Sequence, residues 1–254
     1  MNLKVSIITV VYNNFSTINE TINSVIAQSY SNIEYIVIDG NSTDGTRKIL
    51  ESRKKDIDIL VSEPDSGIYD AMNKGINLAT GDIIGTLNAD DFFADNNVVT
   101  RIISAFETDS SIQAIYSNVV FIDDSGQQKI TRYYSSKNFY PWMFKFGFQP
   151  AHPTFYIKKQ VFKQYGIYRT DLRIAGDFEL LMRFMLRYKI KHKYIEDVWV
   201  KMRTGGASTS GLKSVFSVNS EILIACKANS VYTNKIMIYS KYLIKWWGFI
   251  IKKI

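Results

Sequence analysis

The chain has 254 residues, 46% of them hydrophobic, and a net charge of +7, enough length for one large α/β domain with a well-buried core. Its one cysteine, Cys226, excludes an internal disulfide and agrees with a reducing compartment. The positive charge points to a polyanionic partner, but six lysines and no acid follow Glu221 while Asp and Glu cluster in the first half, so no nucleic-acid partner is expected.

Lys4 to Val11, "KVSIITVV", is β-branched and almost continuously apolar, as a strand covered on both faces requires. The same run is too short for a signal-peptide core or a bilayer span. Thr17 and Glu20 have the spacing of a capping box, and Ile18, Ile22, Val25 and Ile26 recur at helical spacing after it. Glu34 to Asp39 is a second strand, Thr46 to Lys54 a helix and Ile57 to Ser62 a third strand. Ile68, Met72, Ile76 and Ala79 mark one face of a helix ending near Gly81, and Ile83 to Leu87 is the fourth strand. This alternation predicts βαβ units and a Rossmann-like, mostly parallel, doubly wound sheet. In such sheets ligands bind beyond the carboxyl ends of the strands. Polar clusters stand at all four of those ends: Tyr12-Asn13-Asn14, the Asp39 to Gly45 loop, Glu63 to Gly67, and Asn88 to Asp91.

Beyond Asp95 the pattern changes. Val98, Val99, Ile102, Ile103 and Phe106 make a helix, and Ile112 to Ile122 with Lys129 to Tyr134 flank a hairpin turn at Asp123 to Gly126. An aromatic stretch, "FYPWMFKFGF", leads to "QPAHPTFYI"; a helix begins near Asp177, and a strand from Tyr194 to Met202 enters "RTGGASTSG", a loop by composition. The expected organisation is a parallel, ligand-binding half at 1–95, an acceptor-side α+β half at 96–212 and a basic, aromatic helical segment at 213–254. On that last helix Ile236, Tyr239, Leu243, Trp246, Trp247 and Ile250 share one face, with Lys241, Lys245 and Lys252 opposite. Such a helix either lies on an anionic membrane or packs on the domain.

The adjacent carboxylates Asp90 and Asp91 repel each other. Either solvent takes them up in a turn, or they hold a divalent cation through oxygen ligands, and the acids at the other strand ends favour the cation. Asp39 either organises its own turn or accepts hydrogen bonds from a base or ribose. Asp177 is either an N-cap, worth about 1 kcal/mol over alanine, or a carboxylate base across the cleft. His152, between Pro150 and Pro153, and Arg203, before "TGGAS", are candidates for phosphate or acceptor binding, beside plain packing and linker roles. No dinucleotide fingerprint or P-loop follows any strand.

"VSIITVVYNN", "IEYIVIDGNSTDGT", "SEPDSGIYDAMNKGINLATGDIIGTLNADD" and "AGDFELLMRF", spanning roughly Leu3 to Leu181, together resemble the family 2 glycosyltransferases of the GT-A fold, nearest the bacterial enzymes of O-antigen, capsule and colanic acid synthesis. The resemblance implies donor-nucleotide contacts at Val11, Tyr12, Asn13, Asp39, Asn41, Asp65, Gly67, Asn73 and Asp90. It implies Mn2+ or Mg2+ on Asp90 and Asp91, and Asp177 as catalytic base. Two positions depart from the family pattern: Asn88 stands where a first acid is common, and Gly176 where an acid often precedes the base. The implied activity is inverting transfer of a hexose from a UDP-sugar to a lipid-linked (polyprenyl diphosphate) saccharide, giving a β-linkage. The implied location is cytoplasmic, peripheral at the inner face of the bacterial plasma membrane. A nucleotidyltransferase or a non-catalytic membrane-bound scaffold are the alternatives; the first lacks its basic phosphate loop after strand one.

Overall fold

The computed structural model describes residues 3–123, 128–203 and 212–251. In chain order the first half comprises β1 (Val5–Val11), α1 (Ile18–Ile26), β2 (Ile33–Asp39), α2 (Thr46–Ser52), β3 (Ile59–Ser62), α3 (Ile68–Leu78), β4 (Ile83–Thr86) and β5 (Phe92–Phe93). The second comprises α4 (Val98–Thr108), β6 (Ala114–Ile122), β7 (Ile130–Tyr134), β8 (Tyr156–Lys158), α5 (Lys159–Tyr165), α6 (Gly176–Met182), β9 (His192–Arg203), α7 (Leu212–Ala228) and α8 (Lys235–Ile251).

The apolar continuity of the early strands has the expected cause. β1 sends Ile8 and Val10 into a core with α3, α5, α6, α7 and α8, and Ile7 and Val11 into a second core with α1, α2 and α4. A strand buried on both faces has no solvent-facing row to fill with polar residues. Among the described residues the strands form one sheet in the order β3-β2-β1-β4-β8-β6-β9-β5, with β7 on β6. β3, β2, β1 and β4 run parallel, so their carboxyl ends share one rim. The other half is mixed: β8 is antiparallel to β4 and β6, while β9 runs parallel to β6. β5, from the first half of the chain, pairs with β9 from the second, so one sheet runs through both.

The expected hairpin is present as the antiparallel pair β6 and β7, although residues 124–127 of its turn lie outside the described residues. β5, β8 and α5, of two, three and seven residues, are too short to leave a periodic signal. The capping box at Thr17 does not form. Thr17 Oγ1 lies 2.9 Å from the Ala89 carbonyl, and Glu20 is drawn away to Gln128 and Arg203. The tail is helical as expected; Lys245, Trp246, Trp247, Ile250 and Lys252 lie outside the residues whose side chains are described, and the sides are fixed for the earlier turns. Ile238 and Lys241 face inward against the turn at Lys145 to Gly147; Lys241, on the row expected to be polar, is 5% exposed. Ile236 and Leu243 face outward, 83% and 70% exposed. No helix among the described residues is long and apolar enough to cross a membrane.

At the opposite end of the parallel strands, Glu34 staples three segments. Its carboxylate accepts hydrogen bonds from Lys4 Nζ (2.7 Å), Ser6 Oγ (2.5 Å), the Thr80 N–H (2.7 Å) and the Thr80 hydroxyl. Burial works against the charge, but these donors outweigh it and hold the carboxyl at about 2, below its ordinary 4.5. The folded value is the depressed one, so this stabilisation is complete above about pH 4.5 and is lost as the pH falls toward and through about 2. Over that window the unfolding free energy of the wild type should fall about 3 kcal/mol further than that of Glu34→Gln in urea titrations. Parallel acid limbs for the two proteins would contradict this.

Candidate active site

The loops leaving β1 and β2 are zipped together at the rim. The Asn13 N–H donates to Ser42 Oγ (2.8 Å), and Asn13 Oδ1 accepts from the Thr43 N–H (2.8 Å). The N–H groups of Asn14 and Phe15 reach Thr46 Oγ1 (2.8 Å) and Asp44 Oδ2 (3.0 Å). Asn13 and Asn41 hold positive φ angles of 48° and 66°, a conformation asparagine tolerates better than most residues. Asp39 is fully buried and accepts from Ser42 Oγ (2.5 Å), Ser62 Oγ (2.6 Å) and the Ser42 N–H (3.2 Å). Its carboxylate therefore shapes the turn and ties it to the end of β3.

Gly40 shows why this turn brings three strand ends to one point. A Cβ there would lie 2.5 Å from Asp65 Oδ2 and 3.3 Å from the Tyr12 ring. Only a residue without a side chain lets Asp65 and Tyr12 close over it. Val11 is buried beneath, whereas the Tyr12 ring is exposed. Asp65 Oδ1 in turn accepts from the Gly67 N–H (2.9 Å), where a φ of 122° turns the chain into α3.

The acid pair is held from below by α1. Thr21 Oγ1 lies 2.9 Å from the Ala89 carbonyl and 2.8 Å from that of Asp91. Asp91 is buried and accepts from Asn88 Nδ2 (3.0 Å), while Asp90 is half-buried. Burial, then the charge of Asp90, push the Asp91 carboxyl well above its ordinary range, against the pull of Asn88. A cation would relieve both causes. Among the described residues no cluster of three or more His, Cys, Asp or Glu side chains forms. Two adjacent oxygen-donor carboxylates fit a hard divalent ion that completes its shell with substrate phosphates and water.

Asp177, in the first turn of α6, faces the same rim from the other side. A narrow cleft is lined by Gly85 and Thr86 at the end of β4, by His152 and Tyr168, and by Asp177. Asp177 Oδ2 accepts from Gln149 Nε2 (2.8 Å) and lies 3.2 Å from His152 Nδ1. Its Oδ1 is 3.3 Å from the Tyr69 hydroxyl, but the single proton there has a nearer acceptor, the Ile174 carbonyl at 2.7 Å. Burial, then the Asp177 charge, push the Tyr69 and Tyr168 phenols up, so both stay protonated. Gly176 is required where another acid was a family option: a Cβ would sit 2.6 Å from the Tyr69 ring.

Residues 6–174 match the family described as Glycosyl transferase family 2. The chain belongs to that family. It is a glycosyltransferase, and nucleotidyl transfer and a purely structural role give way to that assignment. It is 30% identical over 190 residues to an uncharacterized glycosyltransferase of Mycobacterium tuberculosis, covering 72% of this chain and 69% of the relative. It is 34% identical over 122 residues to WfgD of Escherichia coli, a UDP-Glc:alpha-D-GlcNAc-diphosphoundecaprenol beta-1,3-glucosyltransferase, covering 48% of this chain and 47% of WfgD. The mannosyltransferase PcManGT from Pyrobaculum calidifontis, solved with GDP-Man and Mn2+, shares the fold: TM-score 0.66, 17% identity, 92% of this chain and 66% of that one.

Asn73 and Arg203 both have partners within the protein. Asn73, expected at the donor, gives both ends of its amide to the Tyr168 backbone, with Nδ2 donating to the carbonyl and Oδ1 accepting from the N–H, each at 2.9 Å. It braces α3 against the segment before α6. Arg203 pairs with Glu20, and its guanidinium lies 5.8 Å from the centre of the Phe92 ring, next in sequence to Asp91. The glycine-rich residues that follow it, 204–211, lie outside the described residues. Sequence inspection missed Gln149, the closest partner of the Asp177 carboxylate, and Tyr69, which braces the segment before it. "FQPAH" had marked only its histidine, and Tyr69 carried no signal beyond an aromatic on a helix.

Proposed function

We propose that the protein moves a hexose, of the glucose, galactose or N-acetylhexosamine type, from UDP to a hydroxyl of a polyprenyl-diphosphate-linked saccharide, with inversion. The supporting observation is that Asp177 lines one cleft with Gly85 and Thr86 at the end of β4, the strand that leads into Asp90 and Asp91. The name of WfgD supports a UDP-hexose donor and a diphosphate-lipid acceptor, since half of this chain is similar to that enzyme.

In this reaction the acceptor oxygen attacks the anomeric carbon and the bond from that carbon to the diphosphate oxygen breaks, its electron pair leaving with the UDP. The acceptor proton passes to Asp177, so an α-linked donor gives a β-glycoside. Gln149 and His152 hold Oδ2, which leaves Oδ1 as the proton-accepting atom. A carboxylate is a weak base toward an alcohol, so orientation carries much of the rate. Tyr12, Asn13, Asn41 and Gly67 form the donor rim above Val11, and Arg203 adds positive charge beside the acid pair. Mn2+ or Mg2+ held by Asp90 and Asp91 would supply Lewis-acid neutralisation of the departing diphosphate.

The acceptor's lipid also gives the outer face of α8 a use. Ile236 and Leu243 are joined there by Phe216 of α7, 62% exposed, whose ring lies 6.4 Å from that of Tyr239. Together with the lysine excess after Glu221, this is the chemistry of a patch that lies on an anionic membrane, at the cytoplasmic face of the bacterial plasma membrane.

Three experiments test these points. A panel of UDP-hexoses with a synthetic diphospholipid-linked N-acetylhexosamine should reveal turnover that Asp177→Asn abolishes, with donor affinity within about twofold of wild type. Undiminished turnover in that variant would remove Asp177 as the base. Excess chelator should stop the reaction and added Mn2+ or Mg2+ should restore it; full activity in chelator would dismiss the metal. The protein should co-sediment with vesicles of phosphatidylcholine mixed with phosphatidylglycerol. The double change Ile236→Ser with Leu243→Ser should weaken binding at least about tenfold, because each loses a buried side chain worth roughly 1.5–3 kcal/mol. Equal binding would place the membrane contact elsewhere.

A further inference from the structure

Asp177 is held twice over, first by its side-chain contacts. The second hold is on the backbone that precedes it. Glu221 of α7 directs its carboxylate at three consecutive N–H groups: Arg173 (3.1 Å to each oxygen), Ile174 (2.8 Å) and Ala175 (2.8 Å). Three successive amides turned toward one anion form a concave cradle, and charge-assisted bonds of this kind are stronger than neutral ones. On its other side the same segment is fixed by Tyr69, whose hydroxyl donates to the Ile174 carbonyl (2.7 Å) and whose ring packs where a Gly176 side chain would be. Residues 173–176 are therefore clamped between α3 and α7, and Asp177 is the next residue.

We propose that Glu221 is a positioning residue for the transfer step, setting the place of Asp177 through the backbone of residues 173–175. This rests on Asp177 being the base. Glu221 is separated from the strand-end loops by this segment, so its loss should leave donor binding alone. The effect should fall on the chemical step, where a displacement of about 1 Å can cost about a hundredfold.

The test uses the full chain, with UDP release from UDP-glucose in the presence of synthetic diphospholipid-linked N-acetylglucosamine, and the UDP affinity measured separately. Glu221→Ala should lower kcat by about tenfold to a hundredfold, with KM for the donor and UDP affinity within about twofold of wild type. Glu221→Gln keeps one carbonyl acceptor and should retain an intermediate kcat. It carries the test by itself if the alanine variant does not fold. Amide hydrogen exchange at residues 173–175 should be faster in both variants, a readout that needs no turnover. Unchanged exchange, kcat within twofold of wild type in both variants, or a matching loss of UDP affinity would each overturn the proposal. Asp177→Asn assayed alongside separates the two ideas. If it remains active, the base assignment fails; if it is inactive while the Glu221 variants are unimpaired, only the role of Glu221 fails.

Discussion

The constraint on which the rest depends is that the parallel half of the sheet is buried on both faces. Helices cover it above and below, so the apolar residues of β1, β2 and β4 face one core or the other. A buried polar group without partners costs free energy, so polar side chains collect where the strands stop. Parallel pairing then puts four such stops on one rim. A rim rich in polar and charged side chains follows from the way the apolar surface is disposed of.

Once gathered, those side chains have to be kept apart or paired. Asp39 accepts hydrogen bonds from hydroxyl and amide donors of its own turn and of β3, which makes it a joint between loops. Asp91 has only Asn88 against burial and the charge of its neighbour, which is the situation a cation resolves. Asp177 has one oxygen held by Gln149 and His152 and the other near a phenol already committed to a carbonyl. Three carboxylates of the same kind thus occupy three electrostatic conditions, set by what surrounds each.

The second half of the chain supplies what a parallel sheet alone lacks. β8 and β9 extend the sheet past β4, and α6 brings its acid back over the rim. α7 and α8 close the lower core with Ile222, Ala225, Cys226 and Ile238, and leave Phe216, Ile236 and Leu243 outside. The amphipathic pattern of α8 was readable, but which side packs was not. Lys241 shows why: its long aliphatic stem can lie along a turn at Gly147 as an apolar chain would, and the one-letter code counts it only as a charge.

The sequence by itself determined the alternation of strands and helices, the parallel first half, the family, and the placing of Tyr12, Asp39, Asp65 and Asp90 at strand ends. These are local properties: periodicity over a few residues and a polar cluster where an apolar run stops. Tertiary structure alone decided that Asn73 braces Tyr168, that Gln149 grips Asp177, and that Tyr69 bonds Ile174 across 105 residues of chain. Hydrogen bonds between distant segments leave no periodic trace, because any donor of the right length in either segment satisfies them. The acids at the strand ends can be picked out from their neighbours in sequence, but the residues that hold them become visible only when the chain has closed on itself.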